Sequence, residues 1–101
     1  MTITDPPQSI LIVRLGAIGD VLRVCPAVRR LRKTFPDAKI GWAVEHWIAP
    51  LVTANPNVDI VHILDRRELR KGGIYALGEM RRHIKQIRAE HYDVALDFHG
   101  R

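Results

Sequence analysis

The sequence predicts an α/β fold, a parallel Rossmann-like sheet with flanking helices. Three observations predict it. Apolar strand-like runs alternate with helical stretches in the order β-α-β-α-β-α-β, which asks for right-handed crossovers. The first run, Ile10-Leu-Ile-Val13, is continuously apolar, as strands buried on both faces are. A glycine-flanked turn, Gly16-Ala-Ile-Gly-Asp20, leads from that run into a helical stretch. Composition agrees: 47% of the 101 residues are hydrophobic and 27% charged, inside the globular range.

Residues 1–9 read as a polar lead carrying Pro6-Pro7. After the glycine turn, Leu22, Val28, Leu31 and Phe35 mark a first helix, and Pro26 inside it predicts a kink or a separate first turn. Arg29, Arg30, Arg32 and Lys33 gather toward its C-terminus, where cations complement the helix dipole. Lys39 to Val44 is a second strand. His46 to Thr53 is a short helix interrupted by Pro50, and Asn55-Pro-Asn57 is a turn. Val58 to Leu64 alternates enough for a third strand. Asp65 to Gly73 reads as a charged loop. Ile74 to Glu90 is the clearest helix, with Leu77, Met80, Ile84 and Ile87 forming one apolar stripe. Tyr92 to Phe98 holds a fourth, buried strand. The chain stops three residues later, so the expectation is a fragment whose last strand leaves an edge or face bare.

Several classes fall away at once. One cysteine, Cys25, rules out an internal disulfide and reads as a small core residue. The apolar runs are far shorter than the roughly 20 residues that span a bilayer. No basic segment precedes an apolar stretch at the start, so no signal peptide is expected and the expected location is the cytoplasm. The five histidines lack metal-ligand spacing with cysteine or acidic partners, so no metal site is expected.

Ligands of open parallel sheets bind beyond the carboxyl ends of the strands. That rule selects residues 15–20, 45–47, 65–71 and 97–101. Gly16 and Gly19 let the first turn bend sharply and approach a ligand. Neither G-x-G-x-x-G nor G-x-x-x-x-G-K-[ST] is present, which excludes a dinucleotide or P-loop assignment. Asp20 stands where the first helix starts. It is either an N-cap or a general base held as the anion by the helix dipole. Glu45 and His46 read mainly as solvated or capping residues, and Trp42 and Trp47 as packing. Residues 66–88 carry eight cations against Glu68 and Glu79, a surplus larger than the whole chain's +5. Arg81, Arg82, Lys85 and Arg88 suit the polar face of a helix. Arg66, Arg67, Arg70 and Lys71 crowd one loop and read as an anion clamp, because guanidinium groups grip phosphate and carboxylate bidentately.

Taken in order, Ile10-Leu-Ile-Val-Arg-Leu-Gly-Ala-Ile-Gly-Asp-Val-Leu22, Pro26-Ala27, Phe35-Pro36-Asp37, Trp42-Ala-Val-Glu45, Asn55-Pro-Asn-Val-Asp59, the Arg66–Lys71 cluster and Tyr92-Asp-Val-Ala-Leu-Asp97 resemble the opening of bacterial lipopolysaccharide heptosyltransferases of glycosyltransferase family 9. The resemblance runs from Ile10 to Gly100. It implies a GT-B architecture of two Rossmann-like domains, of which residues 10–101 would be part of the N-terminal, acceptor-binding one. It implies an inverting transfer of heptose from ADP-heptose to the Kdo/heptose inner core, with no metal or cofactor, at the inner face of the inner membrane. Asp20 holds the position of the family's catalytic aspartate. Gly16, Gly19, Arg66, Arg67, Arg70, Lys71, Asp97 and His99 would meet the anionic Kdo-lipid A acceptor. Two departures stand out. The cluster reads Arg66-Arg-Glu-Leu-Arg-Lys71 without an internal aromatic, and Phe98-His99-Gly100 replaces an apolar-Gln-Gly run. The rival class is a basic α/β module for phosphate-rich partners such as nucleic acid. Against it, the chain has no helix-turn-helix pattern, no aromatic-studded strands and no zinc spacing.

Overall fold

A computed structural model describes residues 6–98 of the chain. Four parallel strands form one sheet in the order β3-β2-β1-β4. The elements are β1 (Ser9–Val13), α1 (Ile18–Thr34), β2 (Lys39–Glu45), α2 (Ala49–Thr53), β3 (Ile60–Leu64), α3 (Arg66–Arg70), α4 (Gly73–Ala89) and β4 (Val94–Asp97). β1 is central, with Ile12 in register with Trp42 of β2 on one side and Leu96 of β4 on the other. The expected parallel α/β fold is therefore present, and β1 begins one residue earlier than its apolar run.

The core lies on one face of the sheet. Ile10, Ile12, Ile40, Trp42 and Val44 point to that face at the period of two that strands impose. They meet Val21, Val24 and Val28 of α1 and Ile48, Ala49 and Val52 around α2. α1 runs unbroken through Pro26, so its first turn is not a separate one. The proline would leave the Leu22 carbonyl without its helical donor, and Leu22 is exposed, so water can satisfy it. Pro50 does not interrupt α2 either. It sits in the first turn, where a missing N–H costs nothing.

The opposite face, where α4 packs, mixes buried apolar residues (Leu11, Ala43 and Leu64) with polar ones. Tyr92 lays its hydroxyl over Gly41, and a Cβ there would run into the phenol oxygen, which explains a glycine in mid-strand. The same hydroxyl bonds His62 Nε2 at 2.7 Å. His83 and Glu79 of α4 are buried beside them. Glu79 accepts from the Asp65 backbone N–H at 2.5 Å and from Arg82 at 2.6 Å. Three of the four stripe residues, Leu77, Met80 and Ile84, thus miss the sheet. Leu77 is 59% exposed and Ile84 46%, while the packed positions Ala76, Glu79, His83 and Ile87 lie largely one residue step round the helix, a rotation of about 100°. The bond from the Asp65 N–H to Glu79 ties this side of the helix to the end of β3. β4 is likewise not buried: Val94 and Ala95 are exposed at the open sheet edge.

Burial pushes His62 and His83 below the usual imidazole value of 6.5. Each also senses other cations: His83 and Lys39 act on His62, and Arg82 acts on His83, with Glu90 and Glu79 opposing them. The unfolded chain therefore binds protons at a pH where the fold refuses them. Stability should be full above about pH 6.5 and fall as pH drops from there toward the lower folded-state values. Calorimetric melting between neutral and mildly acidic pH checks this. An unchanged melting temperature, or the same loss in a His62→Phe/His83→Phe double variant, would refute it.

Candidate acceptor cleft

Gly16, Ala17, Leu15, Glu45, Trp47 and Arg66 are among the residues lining a cavity of about 420 Å³ beyond the carboxyl ends of β1, β2 and β3. A larger hollow of about 640 Å³ runs beside the middle of α1, off those strand ends. The strand-end cavity is where a sheet of this topology concentrates loops and ligands, so it is the candidate site.

The bend after β1 is built on Gly16, because a Cβ there would strike the Glu45 carboxylate. Gly19 has no such reason: its Cβ position is open, and it lies inside α1. The helix starts at Ile18 with Ala17 as N-cap, so Asp20 is not the cap. Asp20 lies in the first turn, where the dipole favours an anion. Arg14, the residue after β1, pairs with the Asp20 carboxylate and also donates to the Phe98 carbonyl at 3.0 Å. Its side chain is only 14% exposed. Trp42 Nε1 donates to the Arg14 carbonyl at 3.1 Å, so the core fixes the backbone from which this arginine springs.

The expected loop after β3 is a short helix, α3. Asp65 caps it by accepting from the Arg67 N–H at 2.9 Å. Its four cations are less free than the sequence suggests. Arg66 pairs with Glu45 at 2.6 Å, Arg67 with Asp65 at 2.9 Å, and Lys71 with Glu68 at 2.7 Å. Hydrogen bonds from Arg67 hold the Asp65 carboxyl down at about 2. Among the described residues only Arg70 of the four makes no ion pair. The clamp is therefore a lattice of paired charges, with a buried carboxylate behind Arg66.

Glu45 is the residue that sequence reasoning undervalued. It is buried at 5% exposure, touches Gly16 and anchors Arg66. Its place at the carboxyl end of a buried strand was the available signal. Trp47, expected to pack, is 53% exposed on the cavity wall. Asp97 ends β4 at the same end of the sheet. His99 lies outside the described residues. Among the described residues, no group of three or more His, Cys, Asp or Glu is placed to hold a metal ion.

No family model matches the chain. Lipopolysaccharide heptosyltransferase 1 of Escherichia coli strain K12 is 30% identical over 93 residues, covering 90% of this chain and 29% of that protein. The enzyme of the same name from Pseudomonas aeruginosa PAO1 is 29% identical, covering 90% and 26%. The chain is similar in sequence to part of the bacterial lipopolysaccharide heptosyltransferases. It spans less than a third of the length of the heptosyltransferases it matches. The structure of E. coli heptosyltransferase WaaC with ADP-2-deoxy-2-fluoro heptose superposes with a TM-score of 0.77 at 27% identity, over 88% of this chain and 29% of WaaC. A glycosyl transferase family 9 structure from Veillonella parvula DSM 2008 shares the fold, with a TM-score of 0.78 at 23% identity over 93% of this chain and 26% of that one. The heptosyltransferase resemblance read from the sequence motifs thus holds over nearly the whole chain.

Proposed function

We propose that this chain is the acceptor-binding part of a GT-B glycosyltransferase, residues 10–101 belonging to its N-terminal Rossmann-like domain. The reaction moves heptose from ADP-heptose to the Kdo/heptose inner core of lipopolysaccharide, at the cytoplasmic face of the inner membrane. The observation that carries the reading is the strand-end cavity walled by Gly16, Glu45 and Arg66 in a chain related to named heptosyltransferases.

In this mechanism Asp20 accepts the proton of the acceptor hydroxyl. The freed oxygen pair attacks the anomeric carbon, the bond from that carbon to the ADP oxygen breaks, and ADP leaves with the pair while the centre inverts. Arg14 holds the Asp20 carboxylate in place. Arg66, Arg67, Arg70 and Lys71 draw in the acidic acceptor, exchanging protein carboxylates for acceptor ones. Gly16, Gly19, Asp97 and His99 complete the acceptor set. Trp47 offers an apolar wall to a sugar ring.

Turnover of ADP-heptose with a Kdo-bearing lipid A acceptor, using the complete reading frame, tests the reading. Neutralising Arg66 and Arg67 to Gln should raise the acceptor KM about tenfold or more, the worth of a lost charge-assisted bond, and barely move the donor KM. Equal losses for both substrates would contradict the clamp.

A further inference from the structure

The part of the α4 stripe that misses the sheet has a second character. Leu77, Met80 and Ile84 are exposed, as is Ile74, 79% accessible in the first turn. Between and beside them on the same outward side stand Arg81, Lys85 and Arg88, all exposed. Arg82 is paired with Glu79, but Arg81, Lys85 and Arg88 make no ion pair among the described residues. A shallow groove of about 510 Å³ runs between these cations and Ile84. Among the described residues no acidic side chain lines it.

We infer that this outward face of α4 lies on an anionic lipid surface. Interfacial helices combine an apolar flank with cations along it, the one entering the acyl boundary and the other meeting phosphates. Long cationic side chains reach past the apolar flank to do so. The face is too basic for a core helix face and too apolar for a solvated one. A protein partner would have to bring acidic groups in register with three cations, whereas a layer of anionic headgroups presents them everywhere. α4 begins two residues after Lys71, so it leads straight from the acceptor cations to the lipid that carries the acceptor. That last link rests on the proposed function. The face itself does not, and its test measures binding rather than transfer.

The 101-residue chain is mixed with phosphatidylcholine vesicles, or with vesicles that also contain phosphatidylglycerol, and floated through a density gradient. Binding is expected only to the anionic vesicles. Arg81→Gln, Lys85→Gln and Arg88→Gln should each lower partitioning about fivefold. Leu77→Glu and Ile84→Glu should each lower it about tenfold. These positions are exposed, so circular dichroism should stay unchanged in every variant. The Arg67→Gln/Arg70→Gln variant separates the cleft from the face and should still bind. The inference is overturned by equal binding to neutral vesicles, by no binding to either kind, by binding lost with the cleft pair but kept in the α4 variants, or by a dimer in light scattering that Leu77→Glu dissolves without any effect on lipid. Binding by the chain but not by the complete reading frame also overturns it, because another segment would then cover the stripe.

Discussion

Asp20→Asn, made in the complete reading frame, is expected to lower turnover about 10²- to 10⁴-fold and to leave the melting temperature almost unchanged. The structure separates these two effects. Asp20 is not the helix cap, so losing its charge removes no capping bond. Its side chain is 43% exposed, so its pairing with Arg14 contributes modestly to stability. Asparagine keeps the shape and can still accept a bond from Arg14, but it cannot take a proton from an attacking hydroxyl. Asn at this position should therefore preserve acceptor binding while abolishing the chemical step. Turnover within a few fold of the parent protein would reduce Asp20 to a first-turn carboxylate and remove the base from the proposed mechanism.

Trp42→Ala is expected to abolish cooperative folding of the isolated chain. Trp42 is completely buried at the centre of the core, and truncating such a side chain costs about 3–5 kcal/mol. Whole domains are stable by only about 5–15 kcal/mol, and this one has an exposed edge strand. The effect should also reach the cleft, because the indole N–H fixes the Arg14 carbonyl. Trp42→Phe retains most of the volume and loses that bond, so it should fold with a lowered melting temperature. A cooperative melt in Trp42→Ala within a few degrees of the parent chain would show that the core is carried elsewhere.

What the sequence made legible follows from periodicity. Ile10-Leu-Ile-Val13 carried the pattern of a buried strand, and the alternation of runs pointed to the parallel order. The glycine turn marked the right end of the sheet for a site. The roll of α4 was illegible because apolar periodicity outlines a stripe but not its destination. One buried carboxylate, Glu79, found a partner across the chain in the Asp65 N–H, and that bond holds its side of the helix inward. The charge surplus of residues 66–71 was misjudged for a related reason. A count along the chain sees Glu68 but not Glu45, which β2 brings to Arg66 from 21 positions away. Arg14 escaped notice altogether, since an arginine after a strand has no local signature until β4 and α1 close around it.

The placement of β4 beside β1 has a consequence for how the molecule is made. The Asp93 carboxylate accepts from the backbone N–H groups of Gln8 and Ser9, across 85 and 84 positions. A ribosome delivers residue 8 long before residue 93. Until then β1, the central strand, has only β2 for a neighbour and half of its ladder groups stay unpaired. Such distant pairings pay loop-closure entropy before they return any contact, which slows folding. The nascent chain thus carries its most apolar strand open along one edge until β4 emerges. β4 closes that edge, and it also brings the Phe98 carbonyl to which Arg14 is tethered.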